Sequence, residues 1–127
     1  MSNRLANPAI FDGNFITRHF FSHIDVKEIN FGECYHWAYC AYKVFHKCNI
    51  ELWSSVVQGG HAFIKMNGKF YDSESPQGVD SYTDLEYYKR GFESKAKAQA
   101  LEEFKAYWWG RFDAYDERFI REGFIKR

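Results

Sequence analysis

Residues 59–72 read GGHAFIKMNGKFYD, and the Asn67-Gly68 pair inside them constrains the fold more tightly than any other feature of the chain. Both central residues of a two-residue type I′ turn need positive φ, which Asn and Gly adopt at the least steric cost. The pair between two short apolar runs therefore predicts a tight β-hairpin. The turn also sets a register: Met66 faces Lys69, Ile64 faces Tyr71, Phe63 faces Asp72 and His61 faces Glu74. Side chains alternate along a strand, so His61, Phe63, Asp72 and Glu74 are expected on one face of the sheet. A slip of one residue would remove both acids and bring in Ser73.

The rest of the chain divides around that hairpin. Residues 1 to 30 hold short apolar pieces without a sustained period and read as loops with one short helix. From Glu33 to about Lys47, Trp37, Ala38, Ala41 and Phe45 recur at helical spacing, which predicts a helix with Cys34 in its first turn. CNIELWSSVVQGG is rich in β-branched and aromatic residues and predicts one strand. SPQGVDSYTDLEYYKRGF reads as loop followed by a short helix capped by Ser81 or Thr83. Between about Glu93 and Glu122, Leu101, Phe104, Trp108, Phe112, Tyr115 and Phe119 keep one helical phase through Gly110. That phase predicts a single long, aromatic C-terminal helix of roughly 40 Å at about 1.5 Å per residue.

At 127 residues, with no repeat or linker-like stretch, the chain is expected to form one α+β domain spanning 1–127. Aromatic residues make up 20% of it, so large rings should build the core. Seventeen Lys+Arg balance seventeen Asp+Glu without a basic block, which argues against nucleic acid or an anionic membrane as a partner. No secretory signal and no run of eighteen apolar residues is present. Three clustered cysteines, Cys34, Cys40 and Cys48, are an odd number and read as free thiols in a reducing compartment. The expected location is the cytoplasm, or a host's cytoplasm for a viral protein.

The chemistry centres on FGECYHW, residues 31–37. A thiolate is favoured at a helix N-terminus and beside an imidazole. Cys34 is predicted at the first, Gly32 gives it a tight entry and room for a substrate to approach, and His61 supplies the second. Asp72 or Glu74 would orient the ring and stabilise the imidazolium. Zinc is the rival chemistry, since Cys34, His36, Cys40, His46 and Cys48 form C-x-H-x3-C-x5-H-x-C. That spacing is no recognised zinc pattern, and His36 and Cys40 fall on a different helix face from Cys34. No metal or other cofactor is expected.

GECYHWAY followed by GHAFIKMNGKFYD resembles the papain-like cysteine hydrolases, most closely their transglutaminase-like and NlpC-type branches. The resemblance covers about residues 31 to 80, and the C-terminal segment lies outside it. It implies a papain-like core, with the Cys34 helix packed on a small antiparallel sheet. It also implies Cys34 as nucleophile, His61 as base and Asp72 as orienter, with Glu74 as the alternative. The oxyanion or substrate-binding candidates are Asn30, Gln58 and Gly32. The implied activity is hydrolysis or acyl transfer at an amide bond of a protein or peptide. The alternative is an inert binding protein of the same fold, holding a partner through its aromatic C-terminal helix. Tyr107 and Trp109 lie off that helix's stripe, which suggests a homodimer through 93–122.

Overall fold

The computed structural model describes residues 10–57, 60–91, 95–106 and 111–126. Its Asn-Gly turn forms as its residues demand: Asn67 at φ 53° and Gly68 at φ 80° both lie in the left-handed region. They join β2 (Ala62–Met66) to β3 (Lys69–Asp72), with Ile64 opposite Tyr71 and Met66 opposite Lys69, the register expected from the turn. β1 (Glu51–Ser55) lies beside β2, and Trp53 faces Phe63.

Two further strands widen the sheet beyond the sequence reading. Ser75–Val79 forms β4, where a loop was expected, and Ala96–Gln99 forms β5 inside the segment expected to be helical. The result is a five-stranded antiparallel sheet in the order β4-β3-β2-β1-β5. β4 escaped notice because Pro76 and Gly78 are poor strand formers. Gly78 is needed where it stands: its φ is +88°, and a Cβ there would lie 2.8 Å from the Tyr71 ring.

The helices are α1 (Gly13–Phe20), α2 (Val26–Ile29), α3 (Cys34–Val44), α4 (Glu86–Lys89), α5 (Leu101–Ala106) and α6 (Phe112–Arg121). Local capping explains the first two: the Asp12 carboxylate accepts from Phe15 N at 3.2 Å, and that of Asp25 from Lys27 N at 2.9 Å. α3 is buried from Cys34 through Ala41, because it sits between the sheet on one side and α1 and α6 on the other. Its large polar rings find partners in those neighbours. Trp37 Nε1 donates to Thr17 Oγ1 at 2.9 Å, and the Tyr39 hydroxyl donates to Asp116 at 2.6 Å.

The single long helix expected over 93–122 does not form. Residues 96–99 pair with β1, and Arg111, at φ −121° and ψ 38°, leaves the helical region so that α6 starts afresh at Phe112. The helical phase survives because Phe104 on α5 and Phe112 and Phe119 on α6 enter the same buried cluster from separate helices. A shared core face keeps the spacing without a continuous backbone. Trp108 and Gly110, through which the phase was traced, lie outside the described residues.

Both faces of the sheet are covered. Leu52, Ala62, Ile64 and Tyr71 join the main core with α1, α3 and α6, while Phe63 and Phe70 meet Leu85 and Tyr88 on the opposite face. The strand alternation thus sends neighbouring residues into two separate apolar clusters. Among the described residues, no helix is long and apolar enough to cross a membrane.

Candidate active site

His61 sits just ahead of β2, and its backbone is pinned before its ring is placed. Ser55 N donates to His61 O at 2.8 Å, and His61 N donates to Ser55 Oγ at 2.9 Å. The imidazole is fully buried and lies parallel to the Tyr87 ring, with centroids 4.5 Å apart. Its Nε2 meets Asp72 Oδ2 at 2.8 Å. A carboxylate only accepts, so in the neutral ring the proton stays on Nε2 and the basic lone pair is that of Nδ1.

Asp72 closes β3 and is 1% exposed, yet each of its oxygens is used. Oδ1 accepts from Glu74 N and Ser75 N, both at 3.0 Å, in the turn to β4. Oδ2 accepts from His61 and, at 3.4 Å, from Asn30 Nδ2. A carboxylate held by two backbone amides cannot swing away from the ring without breaking its own turn.

Cys34 is the first residue of α3 and is 7% exposed. Burial is the largest influence on the His61 ring and would lower its pKa, but hydrogen bonding to Asp72 and Cys34 and their charges outweigh it, and the value rises to about 9. The sulfur therefore acts on the ring, although Nδ1 is buried without a well-formed hydrogen bond to any described residue. The thiol is close enough to bear on the imidazole, while Nδ1 itself has no hydrogen-bond partner among the described residues. Gly32, two residues before Cys34, has open space where a side chain would point, and its turn does not use positive φ.

Glu33, the residue before Cys34, does not cap α3 with its side chain. Its carboxylate instead accepts from Arg111 Nη2 at 2.8 and 2.9 Å and from His36 Nδ1 at 2.8 Å. Burial lowers the pKa of His36 in spite of Glu33, so the neutral ring donates from Nδ1 and accepts Arg111 N–H at Nε2, 3.3 Å away. The start of α6 is thereby tied to the helix end that carries Cys34.

No family model matches the chain, and no curated protein or solved structure matches it either.

Of the residues singled out in the sequence, Cys34, His61 and Asp72 come together. Glu74 does not reach the ring. It lies in the turn beyond β3 and pairs with Arg90 at 2.7 and 3.1 Å. Burial would raise its carboxyl, but Arg90 and Asn30 hold it below its ordinary value. Asn30 is not placed as an oxyanion donor, because its Nδ2 points to Glu74 Oε1 at 2.7 Å and to Asp72. Gln58 lies outside the described residues.

Tyr87 and Ser55 were missed. Tyr87 lies on a short helix whose docking no periodicity reveals. Ser55 depends on a β1–β2 register that no turn signal of fixed length announces.

The remaining candidates take structural places. Cys40 is buried and Cys48 half-buried in a 3-10 turn, and no cluster of three metal-ligating side chains occurs among the described residues. Phe104, Phe112 and Phe119 of the aromatic stripe are core residues of this chain. Tyr107 and Trp109, on which the dimer reading rested, lie outside the described residues.

Proposed function

We propose that this protein is a cysteine-dependent hydrolase or acyltransferase with a papain-like core, acting on an amide bond of a peptide or protein. The observation that carries the reading is the His61 ring, held by Asp72 at Nε2 and left with a buried Nδ1 as the atom free to serve Cys34. The order helix, strand, His strand and Asp strand, with α3 packed on β2, supports the papain-like assignment. A cytoplasmic, reducing setting fits three free thiols.

In this reading His61 takes the Cys34 proton at Nδ1, Asp72 favours the imidazolium, and the N-terminal end of α3 favours the thiolate that forms. The thiolate attacks the carbonyl carbon, forming a C–S bond and an oxyanion toward which the Cys34 amide can donate. The tetrahedral centre collapses, the C–N bond breaks, and the His61 Nδ1 proton goes to the leaving amine. A thioester remains. Water or an acceptor amine then gives a proton to Nδ1 and attacks the thioester. The C–S bond breaks, and thiolate and imidazolium are restored. Tyr87 and Phe63 against the ring keep bulk water from the His61–Asp72 bond.

Thiol reactivity tests the reading. At neutral pH, Cys34 should be carbamidomethylated by iodoacetamide roughly 10-fold or more faster than glutathione, and His61→Ala should remove that advantage. Peptide mapping by mass spectrometry identifies the modified residue. A Cys34 no more reactive than glutathione, or indifferent to His61→Ala, sinks the proposal.

A further inference from the structure

We propose that Asn30 is a positioning residue of this site, holding Asp72 on the His61 ring and separating it from the second buried-edge carboxylate, Glu74. The inference rests on the reading of Cys34 as nucleophile. It starts from one amide nitrogen, Asn30 Nδ2, lying 3.4 Å from Asp72 Oδ2 and 2.7 Å from Glu74 Oε1. Both groups only accept, so the NH2 end must face them, and each of its two protons has a carboxylate to serve. The other end faces the Ser73 hydroxyl, whose single proton goes chiefly to Val26 O at 2.8 Å and is shared with Oδ1 at 3.2 Å. With Asn30 only 3% exposed, the amide has no other orientation that satisfies its neighbours.

The oxygen it touches on Asp72 is the one that receives His61 Nε2. Two donors on Oδ2 and two backbone amides on Oδ1 fix the carboxylate plane, so Asn30 sets the direction from which Asp72 meets the ring. On the other side, Asn30 and the Arg90 guanidinium share the charge of Glu74, which would otherwise repel Asp72 across the turn. Residues 26–30 thus reach the catalytic pair through one side chain.

Asn30→Leu keeps the branched heavy-atom skeleton and removes both donors. Its Cys34 should be alkylated on the order of 10-fold more slowly at neutral pH. Its His61, followed by NMR, should titrate below the wild-type midpoint, because Asp72, still anchored through Oδ1, loses the donor that sets the direction of Oδ2 toward the ring. A mere packing role would lower thermal stability and leave both readouts in place. If Asn30→Leu does not fold, the wild type decides: the Asn30 side-chain amide resonances should move with the His61 titration and on carbamidomethylation of Cys34. An unchanged or higher His61 midpoint in Asn30→Leu, or amide resonances silent to both events, overturns the proposal. If wild-type Cys34 is unreactive, the nucleophile reading and this inference fall together. A reactive wild type with an unaffected Asn30→Leu removes only the role of Asn30.

Discussion

Two opposed influences meet at His61. Burial disfavours the charged ring, while Asp72 and Cys34 favour it strongly enough to raise its pKa from 6.5 to about 9. Because the folded value lies above the unfolded one, the ring's contribution to stability is fully present below about pH 6.5 and is lost as pH rises through about 9. Linkage bounds it at about 3 kcal/mol. Urea unfolding across that window should show an alkaline loss that His61→Gln reduces. Asp72→Asn leaves burial with one opponent fewer, so the His61 midpoint, read by NMR, should fall by about one unit or more. The two remaining cysteines give an internal contrast. Burial raises the pKa of the Cys40 thiol, and that of Cys48 is raised as well, with the Phe11 backbone opposing. Both should stay unmodified by iodoacetamide at neutral pH while Cys34 reacts, as peptide mapping can show.

At the scale of elements, the site depends on two successive tight turns. The first, at Asn67-Gly68, sets which residues of β2 and β3 face each other. The second, at Ser73-Glu74, is closed by Asp72 itself, so the strand that carries the acid and the turn that locks it are one structure. Replacing Asn67-Gly68 by Ala-Ala puts two side-chain-bearing residues where positive φ is required. It should cost about 1–2 kcal/mol per position in denaturant unfolding. β4 makes a sharper demand. Gly78→Ala combines a positive φ with a 2.8 Å approach to the Tyr71 ring, and should destabilise the protein by about 2–4 kcal/mol. An unfolding midpoint equal to wild type would contradict the placement of β4.

For the whole molecule, α3 is the organising element, because the sheet, α1 and α6 all pack on it. Its N-terminus carries Cys34, so the position of the sulfur relative to His61 reflects the packing of helix on sheet. Phe119 lies in that core with no exposed surface. Phe119→Ala should therefore cost about 3–5 kcal/mol. The loss should appear as a lower melting temperature, with the mass measured by light scattering unchanged. A variant that kept its melting temperature and instead changed mass would return the aromatic stripe to an interface role. The tie between Glu33, His36 and Arg111 connects α6 to the same end of α3, linking the C-terminal segment to the geometry around the nucleophile.

What the sequence determined on its own was local and short in range. Asn67-Gly68 specified a turn whose two positive φ values leave one register, and that register put His61 and Asp72 on one face. The helical spacing after Glu33 located α3 and placed Cys34 at its start. Pairings between distant segments were decided only in three dimensions. Ala96–Gln99 became a strand because the free edge of β1 needed hydrogen-bond partners, and this outweighed a helical pattern that two separate helices satisfied equally well. The choice of Asp72 over Glu74 came from the turn after β3, which bends Glu74 toward Arg90 and keeps Asp72 under the ring. Asn30 gained its place from contacts more than forty residues away in sequence. Spacing and turn chemistry act within a few residues, whereas the pairing of a buried polar group is settled by whichever donors the packed core brings to it.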